Sequence, residues 1–233
     1  MSVISWFKFE NKDLDFPAYD NNPHIPKIGW FVLLFAVILG ILTPGLTDNE
    51  MLNGILGCLI ILVPLLYYLK WDYKAIFQKP KAREVGLALA LFAGYIIYST
   101  VVGFGLEYFS LVGTSTVDEA ALTFMNIPPL VFSLMCEELI KLIPFLFLLR
   151  VFYKYSNNRK LSVIASMFLV MIFFGCLHLM DLNSLPSVIL MQGFGSIFEF
   201  YGYIKTKNLF IPYITHLTTD VFLFLLIIFN VPF

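Results

Sequence analysis

The chain has 233 residues, of which 59% are hydrophobic and 13% are charged, and its formal net charge is -1. Soluble domains are ~45–50% apolar and ~25% charged, so this composition excludes an ordinary soluble domain. The charge balance provides no basic surface, and we therefore expect no nucleic-acid partner. The composition predicts an all-α, polytopic membrane protein that is surrounded by the lipid bilayer.

A polar N-terminal segment over residues 1–27 precedes the apolar region, and we expect Trp6, Phe7 and Phe9 to rest on the cytoplasmic membrane surface. Seven apolar stretches follow, at residues 28–46, 51–69, 85–106, 127–150, 161–180, 184–204 and 209–230. Each stretch is close to the ~20 residues that a helix needs to cross the hydrocarbon layer. We therefore predict one transmembrane domain over residues 28–233, with about seven spans.

Lysine and arginine are confined to alternate connections between these stretches. All but one of the 15 lie before the first stretch, between the second and third, around the junction of the fourth and fifth, or after the sixth. The other connections, around Asp48, Asp118 and Asp181, contain none. Because positive residues stay on the cytoplasmic side, we predict a cytoplasmic N-terminus and an outer C-terminus. The Phe-, Ile-, Lys- and Asn-rich composition favours a bacterial plasma membrane.

The exceptional cation is Lys141, which lies inside the fourth stretch with Glu137 and Glu138. A charged side chain at mid-bilayer costs ~2.5–3.5 kcal/mol, which favours a functional role for it. Glu137 and Lys141 are four residues apart and share a helix face, so Lys141 is placed to pair with a carboxylate. The two glutamates point about 100° apart on a helix, so one cation does not readily serve both. Glu199, near the end of the sixth stretch, is expected at the membrane interface.

Two of the three histidines also lie in apolar stretches. His178 follows Phe174 by one helical turn, and His216 precedes Asp220 by one turn. Imidazoles and carboxylates that converge from several helices suit either the deprotonation of a water molecule or the binding of a metal. The third histidine, His24, is expected to be an ordinary residue of the polar N-terminal segment.

These motifs together resemble the CPBP family of intramembrane proteases. That family includes the type II CAAX prenyl endopeptidases and the Abi-like proteins of bacteriocin processing and immunity. The residues that carry the resemblance are Glu137-Glu138, Phe174-x-x-x-His178 and His216-x-x-x-Asp220, in that order. The resemblance covers about residues 127–225, which form the motif-bearing core.

The resemblance implies an intramembrane endopeptidase that hydrolyses a peptide bond in a small membrane-associated protein or peptide. In the acidic pair Glu137-Glu138, Glu137 would be the general base that activates water. His178 would help to position that water, while His216 and Asp220 would stabilise the oxyanion. Asp220 stands where the family commonly has Asn, and a carboxylate there would instead orient His216.

The first motif departs from the family pattern. The family usually has Arg five residues after the first glutamate, but that residue is Leu142 here and the cation is Lys141. The spacing Glu-Glu-x-x-Lys resembles the PrsW group of anti-sigma-factor proteases. Lysine lacks the bidentate donor of arginine and does not replace it geometrically. Lys141 and Phe174 are expected to support the site. The change favours the alternative of a non-catalytic membrane scaffold or a bacteriocin-immunity protein.

The same residues leave the cofactor open. Two histidines and one glutamate hold zinc in some hydrolases, so Glu137, His178 and His216 are a possible zinc set. A glutamate-type mechanism would need no cofactor. A third possibility is a proton- or ion-coupled transporter, since buried Glu, His and Asp suit a proton relay. The sequence lacks the repeated, interrupted helix pairs that are typical of such transporters.

Overall fold

The computed structural model describes residues 10, 15–17, 24–113 and 121–231. Over these residues the chain is helical and contains no strand, which confirms the all-α prediction. Most of the predicted N-terminal segment, with Trp6, Phe7 and Phe9, lies outside the described residues. The same holds for Asp118 in the predicted outer loop 107–126.

The helices follow the predicted apolar stretches closely, with one exception. They are α1 (Lys27–Ile41), α2 (Glu50–Tyr68), α3 (Ala82–Tyr108), α4 (Ile127–Ser156), α5 (Arg159–Leu177), α6 (Leu185–Val188), α7 (Ile197–Thr206) and α8 (Phe210–Ile228). The sixth stretch is not one helix, because a π-helical turn at Ile189–Gly193 and a 3-10 turn at Phe194–Ser196 separate α6 from α7.

In the described part of the chain, five segments are long and apolar enough to cross a membrane. They are Lys27–Gly45, Glu50–Tyr68, Ala82–Tyr108, Arg159–Leu177 and Phe210–Ile228. Their number agrees with a multi-pass membrane protein but falls short of the seven predicted spans. Helix α4 has 30 residues, which is long enough, yet its middle carries Glu137, Glu138 and Lys141. The broken α6–α7 segment is the other stretch that does not qualify.

Asparagine residues set the turns between neighbouring helices. The Asn49 side chain accepts a hydrogen bond of 3.0 Å from the Leu52 backbone N–H and starts α2. The Asn158 side chain does the same for Leu161 at 3.1 Å and starts α5. Asn157 ends α4 in the left-handed conformation at φ 48°, which Asn tolerates well. This short reversal lays α5 antiparallel along α4.

Helix α4 forms the centre of the bundle and packs against α1, α2, α5 and α8. Its residues Leu139, Ile143 and Phe145 are fully buried. Helix α2 approaches it closely at Gly54, where an added Cβ would lie 2.8 Å from the backbone nitrogen of Ser133. Glu138 and Lys141, in the middle of α4, are therefore enclosed by other helices and do not face lipid.

The two ends of the bundle differ in charge. One end, called the basic end here, contains the cation-bearing connections at residues 69–81 and 150–160 and the turn at 205–209. The opposite end, called the cation-free end, contains the described connections at residues 42–49, 109–113, 121–126 and 178–184, which carry no Lys or Arg. This separation of Lys and Arg between the two ends matches the positive-inside pattern that the sequence predicts.

Candidate active site

Three helices bring four ionisable side chains together inside the bundle. Helix α4 supplies Glu138 and Lys141, α7 supplies Glu199, and α8 supplies His216. Each of these residues is at most 8% exposed, so all four are withdrawn from water and lipid. We refer to this set as the buried ion cluster.

Lys141 is the cation that holds the cluster together. Its Nζ lies 2.6 Å from Glu138 Oε1 and donates a hydrogen bond to Glu199 Oε2. It also lies 4.5 Å from the centre of the Phe174 ring, a cation–π distance. The structure therefore pairs Lys141 with Glu138 and Glu199, and not with Glu137, whose helix face it was predicted to share. Because two carboxylates contact one ammonium, the desolvation of all three groups is partly compensated.

Glu199 is the residue that the sequence analysis placed wrongly. It was expected at the membrane interface, but it is 7% exposed and contacts Lys141. The cause is the break in the sixth stretch, since α7 begins at Ile197 only after the π-helical and 3-10 turns. The available signal was a single carboxylate within the apolar run from Ile197 to Phe200, which by default indicates a functional or paired residue.

His216 connects the buried ion cluster to a second group of carboxylates. Its Nδ1 lies 2.8 Å from Glu138 Oε1. Its Nε2 lies 3.8 Å from Glu137 Oε2 and 3.8 Å from Asp220 Oδ2. A carboxylate can only accept a hydrogen bond, so Nδ1 carries the proton that faces Glu138. The imidazole is thereby fixed with Nε2 toward Glu137 and Asp220.

Glu137 points away from the cluster and into a cavity of about 630 Å³. Its side chain is 30% exposed, whereas that of Glu138 is 3% exposed. The adjacent glutamates therefore have different environments, as their predicted angular separation implies. His178 lines the same cavity, so two of the predicted catalytic side chains share one space.

His178 lies immediately after α5, as its C-terminal cap. Its Nδ1 is 3.0 Å from the backbone oxygen of Phe174, and a carbonyl can only accept, so Nδ1 is the donor. Its ring meets the Phe174 ring edge to face at 4.8 Å between centroids. Phe174 thus packs against both His178 and Lys141, which fits the supporting role predicted for it.

The possible metal ligands form a different set from the predicted one. Among the described residues, Glu138, Glu199 and His216 offer ligand atoms within 4.8 Å of one another. The Lys141 ammonium already contacts both carboxylates of that set. Since it holds the place and the charge that a divalent metal would take, this donor set does not fit a metal. His178 belongs to the cavity wall and not to the set.

The described fold and site define a multi-pass helical membrane protein with a polar centre inside its bundle. Residues 119–222 match the family model described as Rce1-like, type II CAAX prenyl endopeptidase. The matched region contains every predicted site residue from Glu137 to Asp220. This match supports membership in the CPBP family and confirms the resemblance seen in the sequence. No curated protein and no solved structure matches the chain.

Proposed function

We propose that this protein is an intramembrane endopeptidase that hydrolyses a peptide bond in a small membrane-associated protein or peptide. The match to a protease family supports this proposal. The observation that carries it is the position of Glu137, which faces a cavity while it lies 3.8 Å from a histidine fixed by the buried ion cluster. A water-accessible carboxylate beside an oriented imidazole suits general-base hydrolysis.

In the proposed reaction, Glu137 takes a proton from a water molecule whose oxygen attacks the carbonyl carbon of the substrate. His178, on the wall of the same cavity, helps to position that water. The negative charge that develops on the carbonyl oxygen is stabilised by His216, and Asp220 helps to orient that imidazole. The proton held by Glu137 then passes to the departing amine as the carbon–nitrogen bond breaks.

The buried ion cluster supports this chemistry through charge and rigidity. Glu138 and Glu199 carry two negative charges, and Lys141 supplies one positive charge. An imidazolium at His216 makes the cluster neutral overall and makes Nε2 a hydrogen-bond donor. A donor that is fixed before the reaction stabilises an oxyanion without reorganisation in the transition state.

Glutamate-type hydrolysis is proposed in preference to zinc catalysis because the Lys141 ammonium contacts the carboxylates that would otherwise bind a metal. We expect purified protein to contain substoichiometric zinc and to keep its activity in EDTA and 1,10-phenanthroline. One bound zinc per chain, with activity lost on chelation and restored by zinc, would instead support the zinc mechanism.

Comparison of cleavage products in cells tests the proposed activity. Glu137→Gln keeps the size of the side chain but removes the base, so membrane-derived peptide fragments should disappear. Glu107→Gln is the matched control, because Glu107 is exposed at the end of α3 and does not line the cavity. Fragment patterns that are the same in wild type and Glu137→Gln would refute the proposal.

A non-catalytic scaffold or bacteriocin-immunity protein is the second candidate. It is favoured by Leu142, which stands at the position where the family usually has Arg. Leu142 lines a void of about 10 Å³ beside Lys141 and Glu199, and the basic side chain at the cluster is that of Lys141, one residue earlier. A scaffold would keep its cellular phenotype in Glu137→Gln, whereas an endopeptidase would lose it.

We also propose that α4 and the broken α6–α7 segment cross the bilayer, which gives seven crossings with a cytoplasmic N-terminus in a bacterial plasma membrane. The alternation of the basic and cation-free ends supports this topology. In a cysteine-free background, Asp48→Cys and Asn183→Cys should react with an impermeant maleimide on intact cells. Lys74→Cys and Lys154→Cys should react only after permeabilisation. A position of one group that shows the labelling behaviour expected of the other group would contradict the topology.

A further inference from the structure

The cavity that contains Glu137 is built almost entirely from the cation-free end of the bundle. Its walls include Thr43 and Pro44 after α1, Glu50 and Asn53 at the start of α2, and Asn126 at the start of α4. The end of α5 completes it. The cavity therefore extends from this end toward Glu137, about 15 Å along α4 from the first residue of that helix.

The rim of the cavity is held by hydrogen bonds. Asn53 donates from Nδ2 to the backbone oxygens of Pro44 and Thr47, at 3.1 and 2.8 Å. Thr47 donates from its hydroxyl to Asn53 Oδ1 at 2.7 Å. These bonds connect the turn after α1 to α2, so this side of the opening is held in place by the fold.

The opposite end is closed by contacts among the described residues. Glu10 accepts hydrogen bonds from Arg159 and Lys207. Asn208 receives a hydrogen bond of 3.1 Å from the Gln78 backbone and donates one of 2.9 Å back to it. These contacts join the N-terminal segment, the connection between α2 and α3, and the turn before α8 across the basic end.

The charge and polarity of the cavity indicate what it accepts. Among the described residues, its acidic wall residues are Glu50 and Glu137, and no Lys or Arg lines it. Much of the remaining wall is apolar and includes Ile41, Leu122, Leu130, Ile140, Leu177 and Phe224. The volume of about 630 Å³ lies within the ~300–1,000 Å³ range of small-ligand sites, so it holds a short extended segment and not a folded domain.

From these observations we infer that the substrate enters from the outer, cation-free end, as an extended apolar peptide segment that carries a lysine or arginine next to Glu50. This inference rests on the proposed function and specifies its substrate class. Such a segment belongs to a secreted or membrane-anchored peptide on the outer side of the membrane. Lipid-modified tails of cytoplasmic proteins, which would approach from the basic end, do not fit.

Chemical accessibility tests the route without any need for catalysis. In a cysteine-free background that also carries Glu137→Gln, Ser133→Cys places a thiol on the cavity wall and Asn126→Cys places one near its rim. Both should react with an impermeant maleimide on intact cells. Lys74→Cys, at the basic end, is the matched control and should react only after permeabilisation. Cavity thiols that stay unreactive, or that react only from the cytoplasmic side, would overturn the inferred route.

Protection from labelling tests the substrate class in the same cells. An apolar peptide that contains one arginine should slow the labelling of Ser133→Cys more than its citrulline counterpart, because Glu50 attracts the positive charge. Glu50→Gln should remove most of that difference, which we expect to be about fivefold to tenfold. Asp48→Asn is the control, since Asp48 is exposed at the same end but does not line the cavity.

Equal protection by the two peptides, or a difference that persists in Glu50→Gln, would overturn the inferred role of Glu50 and of the basic residue. These labelling results do not depend on peptide cleavage. Outer accessibility combined with fragments that persist in Glu137→Gln would therefore refute the proposed hydrolysis and leave the access route intact. Cleavage that depends on Glu137, combined with labelling only from inside, would support the proposed hydrolysis and refute the access route.

Discussion

The cation-free end and the basic end of this bundle use carboxylates in opposite ways. At the basic end, Glu10 lies within hydrogen-bond distance of Arg159 and Lys207, and its side chain is buried. At the cation-free end, Glu50 and Glu137 line a cavity, and no Lys or Arg of the described part of the chain lines it. Paired carboxylates stabilise structure, whereas an accessible carboxylate in a cavity is free to react or to bind. The buried ion cluster lies between these two regions.

The largest stability effect is expected from Lys141→Met, which removes the ammonium group that contacts both Glu138 and Glu199. Removal of one partner of a buried ion pair costs about 3–5 kcal/mol, because the remaining charge stays buried. We expect a correspondingly large fall in the thermal unfolding midpoint in detergent. Lys160→Met, at an exposed position, should change the stability by less than about 0.5 kcal/mol.

A second substitution sharpens this test. In Lys141→Met, the further change Glu199→Leu removes one of the two uncompensated carboxylates and should recover part of the lost stability. A double variant that is as unstable as the sum of two independent losses would show that Lys141 and Glu199 do not interact. The partition of the bundle into a reactive and a closed region would then need another explanation.

The next largest effect is expected from His216→Gln, which cuts the link between the cluster and the cavity. If His216 stabilises the oxyanion, its loss should lower kcat by about 10²–10³-fold with little change in KM. The thermal midpoint should fall less than in Lys141→Met, since the pairing of Lys141 with Glu138 remains. A pH profile of kcat that is unchanged in shape by His216→Gln would contradict its place in the reaction.

Features that lie within one helix could be predicted from the sequence. The opposite environments of Glu137 and Glu138 follow from their angular separation, and the contact between Phe174 and His178 follows from one-turn spacing. The apolar stretches likewise predicted the positions of α1 to α5 and α8. The first two relations depend on the helical period alone, and the helix positions depend on the length of each apolar stretch.

Features that depend on how helices face each other could not be predicted. The spacing of Glu137 and Lys141 says that they share a face, but the rotation of α4 against α7 directs Lys141 to Glu199. The π-helical turn that places Glu199 has no clear signal in an apolar sequence of this kind. The cavity at Glu137 is formed by residues from several helices, and no local pattern encodes it.

At the basic end, Glu10→Gln should cause a smaller loss than Lys141→Met. Burial raises the pKa of Glu10, but its hydrogen bonds with Arg159 and the charge of Lys207 outweigh that effect, and the pKa lies below its ordinary value. The folded state is therefore stabilised at pH above about 4.5, and this contribution is lost as the pH falls through the lowered pKa.

The thermal midpoint of wild type should exceed that of Glu10→Gln at pH 7, and the two should converge as the pH falls below about 4.5 and through the lowered pKa of Glu10. Glu107→Gln, at an exposed glutamate near the end of α3, controls for the loss of a carboxylate. A gap between wild type and Glu10→Gln that does not close under acid would show that Glu10 contributes through packing and not through charge.

The smallest effect is expected at Lys207, which is 2% exposed and contacts Glu10 and Phe16. Burial lowers its pKa to about 8, although Glu10 favours the charged form. Between this value and the ordinary lysine value of about 10.5, the folded chain binds fewer protons than the unfolded chain. The contribution of Lys207 to stability therefore rises with pH across that window.

The difference in thermal midpoint between wild type and Lys207→Met isolates this contribution, because other titrating groups cancel. We expect the thermal midpoint of wild type to rise relative to that of Lys207→Met between pH 7.5 and pH 10, by a few degrees at most. In Glu10→Gln the gain should begin at lower pH, because the carboxylate that favours the ammonium is gone. A flat difference would mean that Lys207 is hydrated, and the basic end would then be as open to water as the cavity around Glu137.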